Sequence, residues 1–290
     1  MLKSCLLATR PKTLPAAIVP VWVGCALAWK LTGVIDGRLA LFTLLSALCI
    51  QIATNLFNDV IDDVKGADTA RRLGPQRVSG SGLLPRRAVY LGAFVFLGMA
   101  CLTSIPLIEA RGWLVILIGV PSLYLSYGYT GGPLPLAYLG LGELFVILFF
   151  GVVAVGGTVF VQTGEWFGVA GVLGLQVGLL SAVLIAINNL RDVEEDRASG
   201  KRTLAVRFGT TFLWQLTRIF ILAAFLLGFA GFQYDAHWLP AFSLPWIVVG
   251  IWSTEGVRRT PPGVHFNRYL AGAALQLVLF AGAFAAAVAI

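Results

Sequence analysis

The sequence predicts an all-α, polytopic membrane protein of nine transmembrane helices, and three observations carry that expectation. Of the 290 residues, 58% are hydrophobic and 12% charged, against about 25% charged in a soluble domain. With a mean hydropathy of +0.85, the chain has too little charge to coat a surface in water. Long apolar runs recur from end to end, and a backbone that crosses lipid must satisfy its own polar groups as a helix. The basic residues, finally, gather on one side of these runs.

The runs are residues 14–31, 39–57, 88–108, 112–129, 138–161, 166–187, 212–232, 238–253 and 269–290. Most reach the ~20 residues needed to cross the hydrocarbon core, and Gly, Pro and charged clusters punctuate them as turns. The first has a basic start and an Ala26-Leu27-Ala28 stretch that loosely resembles a signal peptide. Eight further spans follow it, so a retained helix is expected. The eighth is the shortest and holds Pro240 and Pro245. With the N-terminus in the cytoplasm, seventeen Lys and Arg fall inside and three outside (Lys30, Arg38, Arg111). That bias satisfies the positive-inside rule and accounts for the net charge of +7 without nucleic acid. An odd number of spans puts the C-terminus outside, in a bacterial inner membrane, a plasma membrane or an equivalent bilayer.

Eight of the fourteen acidic residues lie in two short segments. Residues 55–68 hold Asp59, Asp62, Asp63 and Asp68, and residues 188–203 hold Asp192, Glu194, Glu195 and Asp196. Each segment follows directly on an even-numbered span, so both emerge on the cytoplasmic side. At helical spacing Asn55, Asp59 and Asp62 form one stripe and Asn188, Asp192 and Asp196 another. Asp192 lies 133 residues after Asp59. The chain therefore reads as a single domain, residues 1–290, of two four-helix repeats, 1–130 and 131–255, with a ninth helix at 269–290.

Carboxylates at the C-terminal ends of helices oppose the helix dipole, and two such clusters facing each other repel. Hard divalent cations resolve both problems, and Mg²⁺ in particular binds through a few carboxylates together with phosphate oxygens. Basic residues just beyond each cluster (Arg71, Arg72 and Arg77; Arg197, Lys201 and Arg202) fit a metal–diphosphate complex. A solvated acidic cap salt-bridged to nearby Arg is the alternative, but it leaves the matched spacing and sidedness to coincidence. The four cysteines (Cys5, Cys25, Cys49, Cys101) read as packing residues, and His237 and His265 have no ligand spacing.

These motifs resemble the UbiA superfamily of intramembrane prenyltransferases. Asn58-Asp59-Val60-Ile61-Asp62 matches its Asn-Asp-x-x-Asp segment after the second helix, and Asp192 through Asp196 its Asp-x-x-x-Asp segment after the sixth. Four stretches are similar to the branch that prenylates 1,4-dihydroxy-2-naphthoate. They are RPKTLPAA at 10–17, residues 55–68 continuing into RLGPQRVSG, YTGGPLPLAYLGLGE at 129–143, and NNLRDVEEDRASGKRTLAVRFG at 188–209. Many members of the superfamily place a Lys after the Tyr of the fourth-to-fifth loop; here Tyr129 has none.

The resemblance implies a polyprenyl diphosphate and a dihydroxynaphthoate as substrates, with diphosphate and CO₂ released and a demethylmenaquinone formed. It implies Mg²⁺, or another divalent cation, on Asp59, Asp62, Asp192 and Asp196. Arg77 and Lys201 are then the expected diphosphate contacts, with Asn55, Asn58 and Asn188 beside them. Arg10 and Lys12 are either contacts for the aromatic carboxylate or topology signals. Tyr129 and Tyr138 either line the acceptor pocket or belong to the interfacial aromatic belt. Glu143, about a turn inside the fifth run, is a functional candidate as an intramembrane acid, unless it reaches the interface. Competing readings are a transporter, a prenyltransferase for another acceptor (4-hydroxybenzoate, homogentisate, chlorophyllide or haem), a phytyl donor in place of polyprenyl, and a CDP-alcohol phosphotransferase. A transporter would place its acids near the midplane, and the phosphotransferase motif is not seen.

Overall fold

The computed structural model describes residues 2–67, 73–74, 77–234 and 236–290, so the predicted site neighbours Asp68, Arg71 and Arg72 lie outside the described residues. Among these residues there is no strand. The long helices are α1 (Pro15–Thr32), α2 (Gly37–Val64), α3 (Arg86–Arg111), α4 (Leu114–Gly128), α5 (Gly142–Thr163), α6 (Gly168–Arg191), α7 (Thr210–Leu227), α8 (Leu244–Arg259) and α9 (Phe266–Ala289). Seven are long and apolar enough to cross a membrane; α4 and α8, at 15 and 16 residues, are shorter.

Local chemistry sets the boundaries. Pro15 opens α1, and Gly33 ends it with a left-handed φ of 74°. Asp36 caps α2, its carboxylate accepting from the backbone N–H of Arg38 at 2.9 Å and Leu39 at 3.0 Å. Two expected boundaries move. The fifth helix starts at Gly142 rather than near residue 138, because Pro135 and Gly140 hold residues 129–141 as a loop with one short 3₁₀ turn, Leu136–Tyr138. The eighth starts at Leu244, so that Pro245 falls in its first turn, where a missing N–H costs nothing.

Each helix packs on its neighbours in sequence, and α9 closes the ring on α1. The core runs through α6, whose Leu173, Val177, Leu180, Val183 and Ile187 are buried. In contrast, α3 turns Leu91, Phe94, Val95 and Leu102 outward toward lipid. On the side away from the acidic segments, Arg111 donates to the carbonyls of Val161 and Gln162 at 2.7 and 2.8 Å, and the Gln162 amide exchanges bonds with Asp36.

A close helix crossing joins α5 to α6. Residues Ile147–Val153 of α5 form a π-helical stretch, which widens the helix and re-aims the side chains on either side. There Gly151 meets Gly174 and Gly178 backbone to backbone; a Cβ on Gly178 would lie 2.4 Å from the Ile147 carbonyl oxygen. Small residues permit this approach, as is common between helices in lipid. Gly178→Leu should therefore overpack the crossing by about 1–3 kcal/mol and lower the melting temperature in detergent; an unchanged melting temperature would show that α5 and α6 can separate there freely.

Candidate active site

The ends of α2 and α6 that carry the acids emerge at the same end of the bundle, together with the N-terminal segment and the loops after α2, α4 and α6. Between them lies a polar chamber of about 180 Å³. It is lined by Asn55, Asn58, Asp62, Arg77, Tyr129, Glu143, Asn188, Asp192, Asp196 and Lys201, among others. The structure thus brings together most of the residues that the sequence singled out, from both clusters.

Asp62 is the centre of the first cluster. Its carboxylate pairs with Arg77 Nη2 at 2.7 Å and Lys201 Nζ at 2.9 Å, and accepts from the Tyr138 hydroxyl at 2.9 Å. Asp62 is only 2% exposed, so these partners replace the water that a carboxylate needs. Burial, and next the Asp62 charge, push the Tyr138 phenol well above its ordinary range, which keeps it a donor. Lys65 adds a further cation, its ammonium 3.9 Å above the Tyr138 ring and donating to the Thr130 carbonyl at 2.8 Å. Partial burial pulls the Lys65 ammonium below its ordinary value, while Asp62 acts the other way.

The second cluster departs from a continuous helical stripe. Asp192 leaves helical geometry (φ −97°, ψ 11°) and a separate short helix, Val193–Ala198, follows. Glu194, Glu195 and Asp196 thus occupy the first turn of a new helix rather than the last turn of α6, where acids are favoured and not opposed. Asp192 is gripped by Arg191, whose Nε and Nη2 reach its two oxygens at 2.6 Å each. The same guanidinium donates to Asn188 Oδ1 at 2.7 Å and Asn267 Oδ1 at 2.9 Å. Lys201 links the clusters, 2.9 Å from Asp62 and 4.0 Å from Asp196. A tight loop contact delivers it: Gly140 (φ 71°) approaches the chain so closely that a Cβ would lie 2.6 Å from the Arg202 carbonyl oxygen. There the Arg202 N–H donates to the Tyr138 carbonyl at 3.1 Å.

Three predicted residues do not line the chamber: Lys12, Asp59 and Tyr138, the last reaching it through its hydroxyl bond to Asp62. Lys12 is exposed and does not line it, whereas Arg10 does. Arg10 is the one non-glycine residue of positive φ (51°) among the described residues. This bend sets Thr9 and Thr13 to receive the Asn55 amide at 2.9 and 3.1 Å. Asp59 is 1% exposed and turns away from the chamber. It accepts from the backbone N–H groups of Val78 and Ser79 at 3.1 and 3.0 Å and from the Ser79 hydroxyl, pinning the segment that carries Arg77. The stripe Asn55, Asp59, Asp62 is thus divided between two tasks.

In the sequence Arg191 is one of the seventeen basic residues expected on the cytoplasmic side, and nothing there points to Asn267. An Arg wedged between two Asn and an Asp at a helix end was a usable signal. Asn267 lies 76 residues away in the chain, and only the closure of α9 brings it in.

The donors suit a hard divalent cation in kind: carboxylate and amide oxygens at the rim of a chamber that also holds arginine and lysine. Among the described residues no group of three or more acidic, His or Cys side chains is close enough to form a full cage. Mg²⁺ does not require one, since one or two carboxylates with substrate phosphates suffice. The chamber shares Ala16, Gln51, Thr54, Tyr129, Val146 and Phe150 with a second, apolar cavity of about 470 Å³ between α1 and α5. Its rim reaches the lipid-facing residues Cys101, Ile116 and Val120 of α3 and α4.

A helical, multi-pass integral membrane protein with a charged chamber opening into an apolar cavity is the class that fold and site define. Residues 17–270 match the UbiA prenyltransferase family, and the chain belongs to that family. It is 38% identical over 205 residues to the 1,4-dihydroxy-2-naphthoate octaprenyltransferase of Bacillus subtilis, a match covering 69% of this chain and 64% of that enzyme. It is 32% identical to the 2-carboxy-1,4-naphthoquinone phytyltransferase of Synechocystis, over 97% of this chain and 91% of the relative. The solved structure of a UbiA homolog from Archaeoglobus fulgidus bound to DMAPP and Mg²⁺ superposes with a TM-score of 0.70 at 16% identity, covering 99% of each chain. At that identity the likeness concerns the fold.

Asp59→Ala should leave the buried N–H groups of Val78 and Ser79 unpaired, at about 1–3 kcal/mol each, and so release the segment around Arg77. Limited trypsin digestion should cut there several times faster than in the unmodified protein; equal rates would show that the carboxylate does not hold this segment.

Proposed function

We propose that this chain transfers a polyprenyl group from an allylic polyprenyl diphosphate to 1,4-dihydroxy-2-naphthoate, releasing diphosphate and CO₂. The product has the demethylmenaquinone skeleton and leaves as the quinol, since the transfer itself oxidises nothing. The observation that carries this reading is the union of a basic, carboxylate-bearing chamber with an apolar cavity open toward lipid. A ligand that needs both has an anionic head and a long hydrocarbon tail, whose burial contributes about 0.8 kcal/mol per CH₂. The naphthoate acceptor is supported by the names of the relatives. The match with the phytyltransferase, nearly full-length, supports a phytyl donor as the second reading.

Arg77 and Lys201 are the proposed diphosphate contacts. Both now pair with Asp62, and a phosphate oxygen offers them an equally strong charge-assisted partner. Asp62, Asp192 and Asp196, with the amide oxygens of Asn58 and Asn188 nearby, would hold Mg²⁺ or a similar cation, while Asp59 holds the loop that carries Arg77. Such a cation, when bound, neutralises the diphosphate and makes it a better leaving group. Phe145, Phe149 and Phe150 line the apolar cavity from the α5 side. Their faces suit an allylic cation, and the surrounding bundle excludes water from it. Arg10 is the proposed contact for the aromatic carboxylate. We place this end of the bundle in the cytoplasm with the N-terminus, and the C-terminus outside, on the positive-inside bias. The helices α2 and α6 would then hold matching places in two four-helix repeats, with α9 added.

Purified protein in detergent, given labelled polyprenyl diphosphate, Mg²⁺ and a panel of hydroxyaromatic acids, should prenylate 1,4-dihydroxy-2-naphthoate. Transfer to 4-hydroxybenzoate alone would overturn the acceptor, and preference for phytyl diphosphate in a parallel arm would overturn the donor. Asp62→Ala and Asp192→Ala should each slow diphosphate release by at least ~100-fold while remaining inserted and monodisperse. EDTA should stop the unmodified enzyme and Mg²⁺ restore it; turnover that persists in EDTA would refute the metal assignment.

A further inference from the structure

Among the acids of the chamber wall that the diphosphate chemistry does not use is Glu143. Glu143 is the second residue of α5, 2% exposed, and lies just where the charged chamber passes into the apolar cavity; Val146 and Phe150, on the turns that follow, line both. Its Oε1 accepts from Asn189 Nδ2 at 2.9 Å, which fixes the rotamer. Its Oε2 has no hydrogen-bond partner. A buried acceptor without a donor is costly, so it points to a ligand that brings one. The Tyr129 hydroxyl closes the site on one side: it packs where a side chain at position 142 would stand, 2.9 Å from an added Cβ.

We propose that Glu143 is the catalytic base of the acceptor half-reaction, receiving at Oε2 the proton of an acceptor hydroxyl; this rests on the hydroxyaromatic acceptor proposed above. Its place between the anionic head and the tail is where the ring must meet the first carbon of the prenyl group. Transfer of the hydroxyl proton to Oε2 turns that oxygen toward a ketone and gives its electron pair to the adjacent, carboxylate-bearing ring carbon. This carbon bonds to the prenyl carbon as the carbon–oxygen bond to diphosphate breaks. The ring carboxylate, now β to a ketone, leaves as CO₂, and its electron pair restores the ring as an enolate. Glu143 then returns the proton to that oxygen, so it ends the cycle unchanged and no oxidant is consumed. Asn189 is a positioning residue in this scheme, holding Oε1 and leaving Oε2 for the acceptor.

Glu143→Gln is the decisive variant, because it keeps size and the bond from Asn189 while presenting an N–H where Oε2 stood. Turnover should fall by about 100-fold or more, the range of a lost general base. Binding of geranyl diphosphate, measured by calorimetry, should stay within threefold, and so should the melting temperature within a few degrees. The acceptor carrying a methoxy group in place of the adjacent hydroxyl supplies the second arm. It should slow the unmodified enzyme to the level of the variant and slow Glu143→Gln no further. Turnover of Glu143→Gln within threefold of the unmodified enzyme, or losses from variant and analogue that multiply, would overturn the base while leaving prenyl transfer intact. Failure of the unmodified enzyme on every hydroxyaromatic acid would overturn the proposed function and this role together.

Discussion

Three loops that are far apart in the sequence meet on one carboxylate. Asp62 binds Arg77 from the loop after α2, Tyr138 from the loop after α4 and Lys201 from the loop after α6. A buried ion is tolerated only when its charge and its lone pairs are met, so none of these partners is optional while Asp62 remains. Removing Asp62 would leave Arg77 and Lys201 facing each other in a site of low dielectric, the arrangement in which breaking a buried pair costs most. The chamber exists because this one anion draws its walls together. The bundle below supplies the surface on which they can meet, and the Gly140 contact lets the second and third loops approach.

Charge neutrality governs the rest of the site in the same way. Asp192 has its own guanidinium from Arg191, which Asn188 and Asn267 hold in turn. The chamber is therefore a set of matched ions rather than a pool of repelling carboxylates. Such a set can exchange partners: a diphosphate and its counter-cations substitute for the existing pairs ion by ion. Loop residues that exchange partners in this way need rigid neighbours. The polar pairs lie on loops and helix ends, while the helix crossing at Gly151 and Gly178 makes a stiff base directly beneath Glu143 and Phe150.

Much of this was legible in the sequence because lipid imposes strict rules. Length and hydropathy marked each apolar run near its true place, and the side on which basic residues gathered put the two acidic segments at one end. The boundaries that moved did so where proline and glycine act over a few residues: Pro245 belongs to the first turn of α8, not to a break within it, and Gly140 keeps Tyr138 out of α5. Which cation serves which anion was not legible. Arg191, Arg197 and Lys201 have equal charge and lie within one turn-rich segment. Only the break at Asp192 decides that the first is buried on its neighbour, the second pairs with Glu194 at the surface, and the third crosses to Asp62. That break depends on where the short helix packs, and spacing does not encode it.

The division of labour between Asp59 and Asp62 follows from the helix itself. At about 100° per residue, Asp62 falls about 20° from Asn55 on one side, and Asp59 about 40° away on the other. Gln51, Thr54, Asn55, Asn58 and Asp62, the α2 residues that line the chamber, cover an arc of about 100° that ends at Asn55. Asp59 lies beyond that edge, on the side where the chain returns through Val78 and Ser79. Both aspartates belong to the same motif and are equally buried, yet geometry gives one the chamber and the other the loop that brings Arg77 to it. Placing Arg77 thus depends on two carboxylates, one holding its backbone and one its guanidinium. A motif of two aspartates three residues apart can accordingly be required as a pair without both of them touching the same ligand.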